Sequence, residues 1–108
     1  MTIIIYTQNW DKGLKKLAEL IGEQELYDNH YTHKIFAGHQ LSVYFDNPLL
    51  IKLILCDNEF SYRGLKYHQA WIDSNLPQDF INQHILPAGC GHWDPGLLTT
   101  YKGEEFYF

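Results

Sequence analysis

Cys90 and His92 are two apart in a glycine-rich stretch, Gly89-Cys90-Gly91-His92, and Asp94 is two further on. A thiol beside an imidazole suits nucleophilic catalysis, in which the His takes the thiol proton and a third group orients the pair. His30 and His33, three apart, add a second pair. Two close pairs of nitrogen and sulfur ligands are the usual parts of a closed zinc site. The spacing of these four residues is not that of an established zinc signature, and sequence proximity places no hydrogen bond between Cys90 and His92. The chain has no Gly-x-Ser-x-Gly, no phosphate-cradling glycine loop and no His-Glu-x-x-His. The expectation is no enzyme, no metal and no cofactor. The alternative is a small metal-binding or thiol enzyme centred on the Cys90–His92 loop.

Carboxylates occur as the pairs Glu23/Glu25, Asp57/Glu59 and Glu104/Glu105. Acid–base catalysis needs carboxylates held in a cleft with shifted pKa values, whereas these pairs fall at expected turns or exposed ends. Their distribution is more telling. From Asp57 onward seven acids oppose three bases, while the first 56 residues carry six acids and five bases. The same half holds Phe60, Tyr62, Tyr67, Trp71, Phe80, Trp93, Tyr101, Phe106, Tyr107 and Phe108. Tyr and Trp are favoured at protein interfaces because they combine large apolar area with a polar handle.

The elements that must position these residues follow from periodicity and turn chemistry. Thr2 to Thr7 is a β-branched apolar run, expected as a strand buried on both faces. Asn9 can cap a helix from Trp10 to about Ile21, with Trp10, Leu14, Leu17 and Ile21 at helical spacing and Gly22 as its end. His33–Ala37 and Gln40–Phe45 read as strands turning at Gly38-His39, and Leu50 to Cys56 as an interior strand. Asp57-Asn58 can start a second helix, Phe60 to Ser74. A third helix is expected from Pro77 to Leu86, stopped by Pro87. Pro87 to Gly96 reads as a loop, and Leu97–Tyr101 with Glu104–Phe108 as a hairpin turning at Lys102-Gly103. The order points to one α+β domain over residues 1–108, a mainly antiparallel sheet packed by two or three helices.

At 108 residues, 45% hydrophobic and 19% charged, the chain has the balance of a folded domain. A net charge of -5 argues against nucleic acid and anionic membranes as partners. The first residues lack a basic region before the apolar run, unlike a signal peptide. No apolar stretch approaches the roughly 18 residues of a membrane span. Two cysteines, Cys56 and Cys90, are too few for a secreted disulfide scaffold and suit free thiols. A cytoplasmic protein is expected.

In size and character, the acidic and aromatic half from Asp57-Asn58-Glu59-Phe60 to Glu104-Glu105-Phe106-Tyr107-Phe108 resembles the small immunity proteins that bacteria keep against their own toxins. Those of contact-dependent growth inhibition systems are included. The resemblance implies a one-to-one inhibitor whose acidic surface covers the basic active site of a toxin, such as a ribonuclease. The residues expected to touch the partner are Asp57, Glu59, Tyr62, Tyr67, Asp73, Asp94, Glu104 and Glu105. Electrostatic steering and aromatic hot spots would together supply speed and affinity.

Overall fold

The computed structural model describes residues 1–56, 66–94 and 98–108, with the side chains of His92 and Asp94 also outside the described part. Strand β1 (Thr2–Thr7) is buried from Ile3 onward, as its continuous apolar run predicts. Asn9 adopts an extended conformation, and its side chain accepts the Lys12 backbone N–H at 3.1 Å, capping helix α1 (Trp10–Leu26).

Helix α1 passes through the expected stop at Gly22. Its end is closed instead by Asp28, whose φ of 61° lets the Asn29 N–H return to the Gln24 carbonyl at 2.9 Å. That left-handed closure is the role expected of Gly22. The helix continues because Glu23, Gln24, Glu25 and Leu26 are all good helix formers.

The two glycines of α1 differ in kind. A Cβ on Gly13 would lie 2.6 Å from both Leu53 and Thr7, so Gly13 is what lets the helix approach the sheet. A Cβ on Gly22 would meet nothing within 4 Å. Gly22→Ala is therefore expected to raise stability by about 0.5–1 kcal/mol, the usual cost of a mid-helix glycine. A urea midpoint that falls would show that Gly22 serves something other than the helix.

The β2–β3 hairpin forms as expected, β2 covering Tyr31–Ala37 and β3 Gln40–Phe45, with Gly38 at φ 60° in the turn. Strand β4 (Leu50–Leu55) pairs antiparallel with β3 and parallel with β1. Beyond β1 lie β5 (Gln69–Ile72) and, at the far edge, β8 (Glu104–Tyr107), both parallel to their neighbours. The six-stranded order is β2-β3-β4-β1-β5-β8. The α+β class holds, and the sheet is mixed, antiparallel at the β2 edge and parallel elsewhere.

Two expected elements are replaced. Within the described part of the expected Phe60–Ser74 helix, Gln69–Ile72 form strand β5, in register with β1 from Ile3↔Gln69 to Tyr6↔Ile72. Ala70 and Ile72 pack into one core layer and Trp71 into the other, so the segment is apolar on both faces and lacks the alternation of a half-exposed strand. The C-terminal hairpin is also absent: β7 (Thr99–Tyr101) pairs with β6 (His92–Asp94), a short strand inside the expected loop, while β8 joins β5. Gly103 donates its N–H to the Gly89 carbonyl at 2.8 Å and packs against Tyr67, making it a junction between two sheets.

The third helix appears as a composite. Helix α2 (Gln78–Phe80) runs into a π-helical turn, Ile81–Ile85, and a 3-10 turn, Leu86–Gly89, with Pro87 inside the last turn and not ending it. Helix α1 covers one sheet face through Leu17 and Leu20 on Ile3, Ile5, Ile51 and Leu53. The composite segment covers the other through Ile81 and Ile85 on Tyr6, Ile54, Tyr67 and Ile72. Among the described residues no helix is long and apolar enough to cross a membrane.

Candidate functional site

Among the described residues strand β8 has one neighbour in its sheet, β5, and its outer side is the edge of that sheet. Alternation along β8 sends Glu104 and Phe106 to the α1 face and Glu105 and Tyr107 to the other. Phe106 stacks on Trp71 at 4.8 Å, holding the strand by its aromatic side. Glu104 is exposed and Tyr107 is 51% exposed, whereas Glu105 is half-buried and accepts the Tyr67 hydroxyl at 2.8 Å. Three residues before β8 begins, Tyr101 ends the β6–β7 ribbon, which carries the exposed Trp93, and the exposed Leu98 directly precedes β7.

Of the residues expected at a partner surface, Glu104 is at this edge and open to solvent. Glu105 is divided between solvent and the Tyr67 bond. Tyr67 and Asp73 are fully buried, so neither can touch a partner in this fold, which corrects their assignment. Tyr67 packs against Gly89 and Gly103, with its ring in the composite-helix layer. Burial pushes its hydroxyl pKa well up, and the Glu105 carboxylate pushes it further, so it remains a proton donor to Glu105. Asp57, Glu59 and Tyr62 lie outside the described residues, as does the side chain of Asp94.

Asp73 directly follows β5 at the carboxyl side of the parallel strands, the usual location of ligand crevices in such sheets. Here that location is filled by the protein itself. Lys12 Nζ donates to Asp73 Oδ1 at 2.7 Å, the Asn75 N–H to Oδ1 at 2.9 Å and the Thr7 hydroxyl to Oδ2 at 2.8 Å. Burial alone would raise the Asp73 pKa, but these three donors outweigh it and hold the carboxyl below its ordinary value. Lys12 also donates to the Phe108 carbonyl at 3.1 Å. A cation in the first turn of a helix opposes the helix dipole, and the Asp73 partner explains why one sits there.

The parts of the expected Cys/His set are distributed over the fold. His30 and His33 belong to the β2 edge, and His33 is stacked on Tyr44 at 4.5 Å. Cys90 follows the turn whose Gly89 binds Gly103 just ahead of β8, and four strands separate β8 from β2 in the sheet. Cys90 is an exposed free thiol within 3.4 Å of the Leu86 carbonyl. Among the described residues no group of three or more His, Cys, Asp or Glu could hold a metal ion.

A site that sequence reasoning missed lies at the opposite end of the sheet from Asp73. A cavity of about 360 Å3 opens between the second half of α1 and the starts of β1 and β5, bordered by Leu20, Glu23, Gln24, Asn47, Gln69 and Trp71. Asn29 stiffens one wall: its side chain accepts the Asn47 backbone N–H at 3.1 Å and donates to Gln24 Oε1 at 3.0 Å. The Trp71 indole N–H is buried and has no hydrogen-bond partner among the described residues. Asn29 and Asn47 read as turn formers and Gln69 and Trp71 as helix, so no sequence signal joined them.

No family model, curated protein or solved structure matches this chain.

Proposed function

We propose that this chain is a binding protein that docks one-to-one onto a basic protein partner, and that the partner is a bacterial toxin whose cationic site it covers, a ribonuclease being the version its acidity fits best. It would act in the cytoplasm. The observation that supports this reading is the β8 edge, where exposed Glu104, half-buried Glu105 and exposed Tyr107 flank a strand side that no described residue pairs with. Acids there steer a cationic partner, Tyr107 supplies contact area, and the open edge offers backbone hydrogen bonds.

The partner to test is the C-terminal domain encoded by the neighbouring reading frame, titrated at low and moderate salt. Tight one-to-one binding whose association slows as salt rises is the expected result. Glu104→Lys is expected to slow association roughly ten-fold or more at low salt, and Tyr107→Ala to speed release. Glu105 is unsuitable for charge reversal because it holds Tyr67. Unaltered rates in both variants would remove β8 from the interface, and no binding at either salt would overturn the reading for that pair.

A further inference from the structure

We propose that two copies of this chain join through their β2 edges, residues 33–37 of each pairing antiparallel about a two-fold axis at Ile35. Among the described residues β2 is the longest strand of the sheet, and it stands at the margin. All seven of its residues are exposed, Tyr31 by 43%, Ile35 by 49% and Phe36 by 65%. Edge strands are ordinarily guarded by shortness, by proline, by a bulge or by an outward lysine. On β2 these guards leave a stretch open. The one irregularity in its pairing falls between Tyr31 and His33, ahead of five regular residues. The one lysine, Lys34, has its ammonium 4.6 Å from the ring centroid of Tyr31, drawn back along its own strand.

Charge and register both select a second copy as the occupant. The chain has a net charge of -5, yet no carboxylate falls between Asp28 and Asp46. Two acidic copies can therefore meet at β2 without bringing their acids together. In a two-fold antiparallel pair one residue faces itself, and the five regular residues are centred on Ile35. Ile35 then meets Ile35 of the second copy, Ala37 meets His33, and Phe36 meets Lys34. The last pair is on the α1 face, since Phe36 is in register with Leu41 and Lys34 with Val43. There an ammonium already held by Tyr31 gains a second ring. A pair centred one residue earlier would set Lys34 against itself, an unfavourable contact. Phe36 is oriented in advance by its edge-on contact with Trp10 at 5.7 Å, which lowers the ordering cost of association. With about 150–250 Å2 for a whole aromatic side chain, the exposed part of β2 amounts to roughly 500 Å2 per copy. The total of about 1,000 Å2 is the floor for a specific interface, so the dimer is a weak one. The two β8 edges lie at opposite ends of the joined sheet, so a basic partner at β8 and a second copy at β2 do not compete.

The test is sedimentation velocity of the purified chain alone, from about 1 µM to 1 mM. A monomer that passes to a dimer as concentration rises, and grows no further, is the expected result, because a two-fold interface closes on itself. Ile35→Lys sets two ammonium groups at the axis, and Phe36→Ala removes the ring over Lys34. Each is expected to weaken dimerisation roughly ten-fold or more. Glu104→Lys, at the far edge of the sheet, is expected not to weaken it. A second measurement needs no substitution: amide hydrogen exchange of residues 33–37 should slow as protein concentration rises, while that of β8 stays constant. A monomer throughout, or exchange at β2 that ignores concentration, overturns the proposal. Growth beyond a dimer, or loss of association in Glu104→Lys, overturns it as well, and assigns the contact to β2 of one copy against β8 of the next.

Discussion

Lys12→Met is expected to destabilise the fold by about 3–5 kcal/mol at neutral pH, because it leaves the fully buried Asp73 carboxylate without its cation. Thr7 and Asn75 would remain as donors, and two neutral hydrogen bonds do not offset the burial of a charge. The pH dependence distinguishes this cause from lost packing. In the parent protein the Asp73 pKa is depressed, so its stabilising contribution is present above the unfolded value of about 3.9 and is lost as pH falls through the lower folded value.

Without Lys12, burial dominates and the folded pKa lies above the unfolded one. Stability then falls as pH rises through that range, the opposite sign. The gap between parent and variant should therefore shrink on acidification, and Asp73→Asn added to Lys12→Met should recover part of the loss at neutral pH. Urea midpoints from pH 3 to 8 would check this. A loss of equal size at both ends would mean that the alkyl stem of Lys12, and not its charge, carries the effect.

Tyr67→Ala is the second large effect, a loss of about 3–5 kcal/mol as expected for truncating a buried aromatic. The cavity could not close by a small shift of the surroundings, because the ring is packed directly against the backbone at Gly89 and Gly103. A Cβ at either glycine would approach Tyr67 to 2.5 Å and 2.7 Å respectively. Tyr67→Phe keeps the ring and removes only the bond to Glu105, so about 1 kcal/mol is expected. Thermal unfolding of both variants gives the comparison. If Tyr67→Ala costs no more than Tyr67→Phe, the ring is not the element that seats β8 and the composite helix on the sheet.

These two residues also mark where the sequence was legible. The start of α1 at Asn9, the β2–β3 turn at Gly38 and the interior character of β1 depend on neighbours in the chain, and all three were readable. Tyr67 and Asp73 were read as surface because they belong to the acidic, aromatic half whose Tyr and Asp suit an interface. Their burial depends on strands paired with β5 from both sides, which local pattern does not encode. The same long-range pairing turned a helix expectation into β5 and detached β8 from β7. At the candidate partner surface, Glu104 was legible because a charged residue on an edge strand stays exposed. The carboxamide-bordered cavity was not, since its residues come from a helix end, two turns and a misread strand.

The placement of β1 has a consequence for the time the chain needs to fold. Strands β2, β3 and β4 follow one another and can zip together through short turns, a local process. Strand β1 must instead wait for partners far along the chain: its Thr2 N–H reaches His68 across 66 residues, and Lys12 of the following helix α1 reaches Phe108 across 96. Closing such loops costs entropy before any contact returns it. The antiparallel half is thus expected to form early and the parallel half late. During that interval the apolar flanks of β1 and β4 stand open, which makes rate of synthesis and dilution, and not only final stability, determinants of the yield of native protein.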